Sequence, residues 1–191
     1  MAVDGAHGPG RSKDVLRAFS EVGVHIIGIQ ETRRDGVSSF SQEGYVVYYS
    51  GNKAGRNGGQ GGVGIAVKDA IVRQGTCSQE YINGRVLKMS FELMGRSKAV
   101  TFIVGYVPTE VERSVKDFWE VIGRAVEEVP VTQQLFVLMD ANARTGRRED
   151  GGGSADSRVL GAYGHDVLNR NGERLLSMAG DHDLAIVNTL Y

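Results

Sequence analysis

Cysteine is nearly missing from this sequence. Cys77 stands alone among 191 residues, so no internal disulfide can form, and a reducing setting, nuclear or cytoplasmic, is expected. The histidines His7, His25, His165 and His182 are scattered, and no H-E-x-x-H pattern exists. With one cysteine, that argues against a zinc site. No apolar run approaches membrane-spanning length and the N-terminus carries no apolar signal core, so no membrane partner is expected. An excess of charge is absent too: 22 Lys and Arg against 23 Asp and Glu leave a net charge of -1. No global field draws the chain to nucleic acid or an acidic membrane, and phosphate recognition has to be local. The sequence lacks a G-x-S-x-G elbow and a G-K-[ST] phosphate loop, which removes a serine hydrolase of that type and a P-loop enzyme.

What is present is an ordinary globular composition, 41% hydrophobic and 24% charged, long enough for one domain with a substantial core. Residues 1–11 are Gly-rich with little apolar content and are expected to be a disordered or ill-defined start. The expected domain runs over 12–191. Ser12 suits the N-cap of a short helix carrying Val15, Leu16 and Phe19, with Gly23 at its end. Val24 to Ile29 reads as a buried strand, with His25 a core residue within it, and it delivers Gln30, Glu31 and Thr32 at its C-terminal end. Tyr45 to Tyr49 is another strand, followed by a Gly-rich loop, Ser50 to Gly62, that carries Lys53 and Arg56. Gly59, Gly61 and Gly64 match G-x-G-x-x-G formally, but the match enters a strand, Val63 to Val67, instead of opening a helix. That disqualifies a dinucleotide fingerprint.

Leu87 to Leu93 and Val100 to Tyr106 alternate in polarity and predict an antiparallel hairpin around Gly95. Val115, Phe118, Trp119, Ile122, Ala125 and Val126 fall at helical spacing within Glu112 to Glu128, with Trp119 expected in the core. Leu135 to Met139 is an unbroken apolar run, the pattern of a strand buried on both faces and parallel to the one before the helix. A long loop from Ala141 to His165 follows. Asn171 is a candidate cap for a helix closed by Gly180 as its C′ residue, and Leu184 to Val187 reads as a last strand.

Glu31, Tyr106 and the Asp140/Asn142 pair each lie at the C-terminal end of a different apolar strand. Two carboxylates, an amide and a phenol suit a hard cation such as Mg²⁺ with a phosphate ester, in the crevice outside strand ends where ligands gather. The plainer reading is that each closes a strand, Asp140 and Asn142 by bonding their own backbone in a polar turn. Both readings stand on pattern alone.

These residues resemble a known family. Gly28-Ile29-Gln30-Glu31-Thr32, Gly61 to Val67, Tyr106-Val107-Pro108-Thr109 and Asp140-Ala141-Asn142 appear in the order found in the endonuclease–exonuclease–phosphatase superfamily. Asn171 to Leu176 and Asp183 to Thr189 resemble the branch holding non-LTR retrotransposon endonuclease domains and craniofacial development protein 2-like proteins. The likeness covers Ser12 to Tyr191. It implies an α/β sandwich of four layers, two packed mixed sheets with helices outside. It also implies an Mg²⁺-dependent (or Mn²⁺-dependent) phosphodiesterase that nicks DNA, with a reverse transcriptase domain as a possible neighbour in the parent protein.

By the same resemblance Glu31 would bind the metal, supported by Gln30, and Asp140 would orient or deprotonate the attacking water. Asn142 would hold the scissile phosphate and Tyr106 would stabilise developing charge. Lys53 and Arg56 are candidate contacts to flanking phosphates, or simply part of a solvated loop. The family pattern also includes an opening strand ending in Asn and a closing Ser-Asp-His-type segment, and this sequence shows neither. The domain is therefore expected to be truncated at both ends and weak or inactive. Two rival readings follow: a catalytically dead remnant that at most binds nucleic acid, and a phosphatase of small phosphoesters.

Overall fold

The computed structural model describes residues 10–51, 61–95, 98–109, 114–147, 158–164 and 167–190. They divide into two compact units, one from Met1–Tyr106 with Glu128–Met139 and one from Val107–Glu127 with Asp140–Tyr191.

In the first unit, β1 (Ile26–Gln30), β2 (Gly36–Gln42), β3 (Tyr45–Gly51) and β4 (Val63–Lys68) form a sheet in the order β1-β4-β3-β2. Every pair in it is antiparallel, so the expectation of two mixed sheets fails for this one. Its strands β2 and β3 join through the tight Glu43-Gly44 turn, both residues at positive φ, and such a turn reverses the chain. The second sheet, β5 (Gly75–Asn83), β6 (Val86–Leu93), β7 (Val100–Tyr106) and β8 (Gln134–Asp140), is mixed. The hairpin of β6 and β7 is antiparallel as expected. The N–H of Gln134 donates to the carbonyl of Ala99, next to the start of β7. The N–H of Val107, just past the end of β7, donates to the carbonyl of Asp140. Both ends in step mean parallel strands, as the crossover requires.

The sheets pack face to face. Tyr48, Val63, Ile65 and Val67 from one meet Leu87, Met89, Phe91 and Val104 from the other in a single buried cluster. Burial there pushes the Tyr48 phenol up to about 12, so it stays neutral in the core. On the other face of the first sheet, α1 (Gly10–Glu21) seats Leu16 and Phe19 against Ile27, Ile29, Tyr45, Val47 and Ala66.

Ser12 is not its cap. The helix starts at Gly10, and Ser12 is buried within it with its hydroxyl 3.3 Å from Gln42 Oε1. Gly23 does end the helix, through bonds from Gly23 N–H to Ser20 and from Val24 N–H to Phe19. His25 is exposed, because the strand begins one residue later and points Ile27 and Ile29 inward. The strand β8 is not buried on both faces either: it lies at the end of its sheet among the described residues, and Phe136 is 41% exposed, stacked on Phe102. An unbroken apolar run cannot distinguish a central strand from one that closes a sheet.

The second unit holds α3 (Val115–Glu127) and α4 (Arg170–Asp181); a short α2 (Asp69–Arg73) belongs to the first. Asn169, not Asn171, caps α4, its side chain accepting from Gly172 N–H at 2.8 Å. Asn171 is fully buried instead, bonded to the Pro108 carbonyl at 3.3 Å and to Trp119 Nε1 at 3.4 Å. Trp119 is therefore half-buried, lining an open cavity of about 320 Å³ between α3 and α4, and is not a core residue. Gly180 lies inside α4. The residue at positive φ after it is Asp183, and Leu184 N–H closes on Ala179 at 2.8 Å.

Leu184 to Val187 makes no strand. Ile186 forms one parallel bridge to Leu160, and Val187–Thr189 turns into a 3-10 helix. The described parts of the stretch from Ala141 to His165 are not all open loop: Thr145 bridges Leu168, Leu160 bridges Ile186, and Val159 is buried with Ala179 and Ile186. A Cβ on Gly172 would stand 1.9 Å from the Arg144 carbonyl oxygen, which confines that position to glycine. Thr189 Oγ1 accepts from Gly161 N–H at 2.8 Å. The segments resembling the retrotransposon branch are thus clamps that close this unit. Among the described residues, no helix is long and apolar enough to cross a membrane.

Candidate active site

The backbone changes hand where β1 ends. Glu31 and Arg33 both take positive φ, 55° and 51°, a conformation that costs a non-glycine residue of order 1–3 kcal/mol and gathers at functional sites. Two bonds hold the turn open: Thr32 N–H to the Gly62 carbonyl at 3.2 Å and Arg33 N–H to the Gly61 carbonyl at 2.9 Å. Gly62 has φ +91°, and a Cβ there would lie 2.3 Å from the buried Thr32 Oγ1. The glycines ahead of β4 therefore exist to let the Glu31 turn approach, not to cradle a dinucleotide.

On that turn the Glu31 carboxylate has two polar partners among the described residues. Its Oε1 accepts the Tyr106 hydroxyl at 2.8 Å, and its Oε2 is 3.6 Å from Arg33 Nη2. Tyr106, at the end of β7, is itself held by Arg85. Its N–H donates to the Arg85 carbonyl at 3.0 Å, and the guanidinium lies 5.1 Å over the ring centroid. Gln30 is buried and its amide donates to the Leu138 carbonyl at 3.2 Å, tying β1 to β8 behind Glu31. Arg33 and Arg85 were not among the residues expected here. Arg85 could have been found by extending the β6–β7 hairpin one step, since Val86 pairs with Gly105 and so sets Arg85 opposite Tyr106.

In the second unit, Asp140 and Asn142 meet each other. Asn142 sits at φ 45° and its N–H donates to Asp140 Oδ1 at 3.1 Å, so the polar turn is real. The Asn142 side-chain amide donates to the Val107 carbonyl at 2.7 Å, which leaves its second side-chain N–H and its Oδ1, as distinct from its backbone carbonyl, for other work. Asn169 organises this corner as well as α4. It donates to the Asn142 carbonyl at 3.2 Å and accepts from Arg144 N–H at 2.9 Å. Asn169→Ala removes a cap and these loop bonds together. It is expected to lower stability by about 1–2 kcal/mol in a urea titration.

Lys53, Arg56 and His165 lie outside the described residues. Among the described residues no group of His, Cys, Asp or Glu converges as a ready metal cage. A metal would rest on one or two carboxylates completed by water and substrate phosphate, which is the habit of Mg²⁺. Glu31 has the right chemistry for it, a hard oxygen donor with 34% of its side chain exposed.

A family model described as Endonuclease/Exonuclease/phosphatase family matches residues 3–167. Craniofacial development protein 2 from Bos taurus is 28% identical over 185 residues, covering 96% of this chain and 29% of that protein. Its counterpart from Tragulus javanicus is 28% identical over 186 residues, again 96% of this chain and 30% of its own length. The chain thus spans less than a third of those relatives. Among solved structures, the endonuclease domain of TRAS1, a telomere-specific non-LTR retrotransposon, superposes with a TM-score of 0.56 at 16% identity. It covers 89% of this chain and 64% of that domain. The AP endonuclease LMAP from Leishmania major superposes at 0.55 and 13% identity, over 91% of this chain and 62% of that one. These two likenesses establish a shared fold of two packed four-stranded sheets with helices.

Proposed function

Since the chain belongs to the endonuclease/exonuclease/phosphatase family, we propose that it is a divalent-metal-dependent phosphodiesterase that nicks DNA, of the retrotransposon endonuclease type. The observation that carries the reading is the 2.8 Å bond from the Tyr106 hydroxyl to Glu31, made by residues 75 positions apart at two strand ends. Glu31 is the ligand for Mg²⁺ or Mn²⁺, and the bound ion would neutralise phosphate charge and stabilise the leaving oxygen. Tyr106, placed by its bonds to Glu31 and Arg85, would turn its single hydroxyl proton from Glu31 toward the oxygen on which charge develops once substrate is bound. Asp140 accepts the proton of the attacking water or aims it. Asn142 offers its remaining amide N–H to the scissile phosphate. Gln30 holds the strand from which Glu31 departs, and Lys53 and Arg56 are proposed contacts to neighbouring phosphates.

Two branches of the family differ in substrate, and one experiment separates them. Supercoiled plasmid incubated with the protein and Mg²⁺ is expected to convert to the nicked circle, weakly, and not at all with EDTA. Turnover of phosphomonoesters with the plasmid left intact would make the chain a phosphatase. Absence of both activities, with salt-sensitive DNA binding that survives Glu31→Ala, would make it a binding remnant.

A further inference from the structure

We infer that Arg33 is the cation that holds Glu31 in the absence of a metal, so that its guanidinium and a divalent ion compete for one carboxylate oxygen. The inference rests on the reading of Glu31 as a metal ligand. The two oxygens of Glu31 are unequal. Oε1 receives the Tyr106 hydroxyl at 2.8 Å, and a hydroxyl can donate to a carboxylate whether or not a metal is bound to it. Oε2 faces Arg33 Nη2 at 3.6 Å, and a guanidinium always carries its charge, so it repels a cation arriving there.

The two ends of Arg33 differ in freedom. Its backbone is tied by the bond to Gly61 at 2.9 Å and by its left-handed φ of 51°, so the side chain always starts beside Glu31. The side chain itself is 50% exposed and can swing into solvent. Arg85, a second guanidinium at this site, lies over the Tyr106 ring at 5.1 Å with Nη1 3.4 Å from the Tyr106 carbonyl, so its guanidinium is engaged with Tyr106. Exposed ion pairs shift an equilibrium by about five-fold or less. Arg33 therefore sets the threshold for metal loading without preventing it.

Isothermal titration of the full chain with Mn²⁺ tests this without reference to catalysis. Arg33→Gln is expected to bind Mn²⁺ about two- to five-fold more tightly than the parent. Arg33→Lys, which keeps the charge, is expected to stay near the parent, and Glu31→Gln is expected to lose the site. If Glu31→Gln abolishes binding while Arg33→Gln and the parent bind alike, the competition is refuted and the metal role of Glu31 survives. If Glu31→Gln binds Mn²⁺ as the parent does, Glu31 is not the ligand and both readings fall.

Discussion

Asp140→Asn is expected to lower Mg²⁺-dependent nicking of supercoiled plasmid by about 10²–10⁴-fold, the usual worth of a positioned general base. The choice of asparagine matters because Asp140 also has a structural task. Its Oδ1 accepts the N–H of Asn142 at 3.1 Å, and an asparagine oxygen can do the same. Asp140→Asn therefore keeps the turn and removes the charge, whereas Asp140→Ala removes both. If Asp140 acts chemically, the two variants are equally dead. Should Asp140→Asn nick as fast as the parent while Asp140→Ala does not, Asp140 is only a turn residue and its proposed role collapses. The control is cheap, because the side chain is exposed and neither substitution disturbs a core.

A second large effect belongs to folding. Asn171→Leu is expected to destabilise the protein by about 2–5 kcal/mol, since each buried polar group left without a partner costs about 1–3 kcal/mol. Asn171 has no exposed surface. Its Nδ2 donates to the Pro108 carbonyl at 3.3 Å, and its Oδ1 accepts from Trp119 Nε1 and Arg174 Nη1, both at 3.4 Å. Leucine fills the space and strands the Pro108 carbonyl and the indole N–H. In a chain of this size each kcal/mol lowers the midpoint by about 2–4 °C, so a thermal melt followed by circular dichroism reads the loss directly. A melt unchanged within a degree would show that these bonds contribute little. Catalysis should suffer as well, because Pro108 adjoins Val107, whose carbonyl takes the Asn142 amide at 2.7 Å.

Much of the molecule was legible before any coordinates. The strand from Tyr45, the β6–β7 hairpin, the parallel return into β8 and the helix through Phe118 all follow from polarity at spacings of two or three to four residues, a property of neighbouring side chains. The approach of Tyr106 to Glu31 was legible only as two polar residues at strand ends. The failures share another cause. Ser12 and Asn171 are good capping residues by type, yet both are buried inside their helices, and in α4 the cap fell to Asn169. Capping propensity favours Asn and Ser without saying which of two nearby candidates faces outward.

The sequence by itself therefore determined six of the eight strands among the described residues, but not β2 or β5, and wrongly added one at Leu184 to Val187. Those strands and the residue types at the candidate sites are written in local spacing, and the family was legible as a resemblance of short motifs. Only the tertiary structure decided which partners those residues have. Arg33 meets Glu31 because both sit in left-handed backbone that Gly61 and Gly62 receive across the sheet. Arg85 meets Tyr106 because antiparallel register places residues 21 apart side by side. Asn142 gives its amide to Val107 because β7 and β8 end in step. A hydrogen bond or an ion pair needs two groups within about 3–4 Å, and for residues far apart in the chain that distance is set by register and packing, to which local spacing is blind.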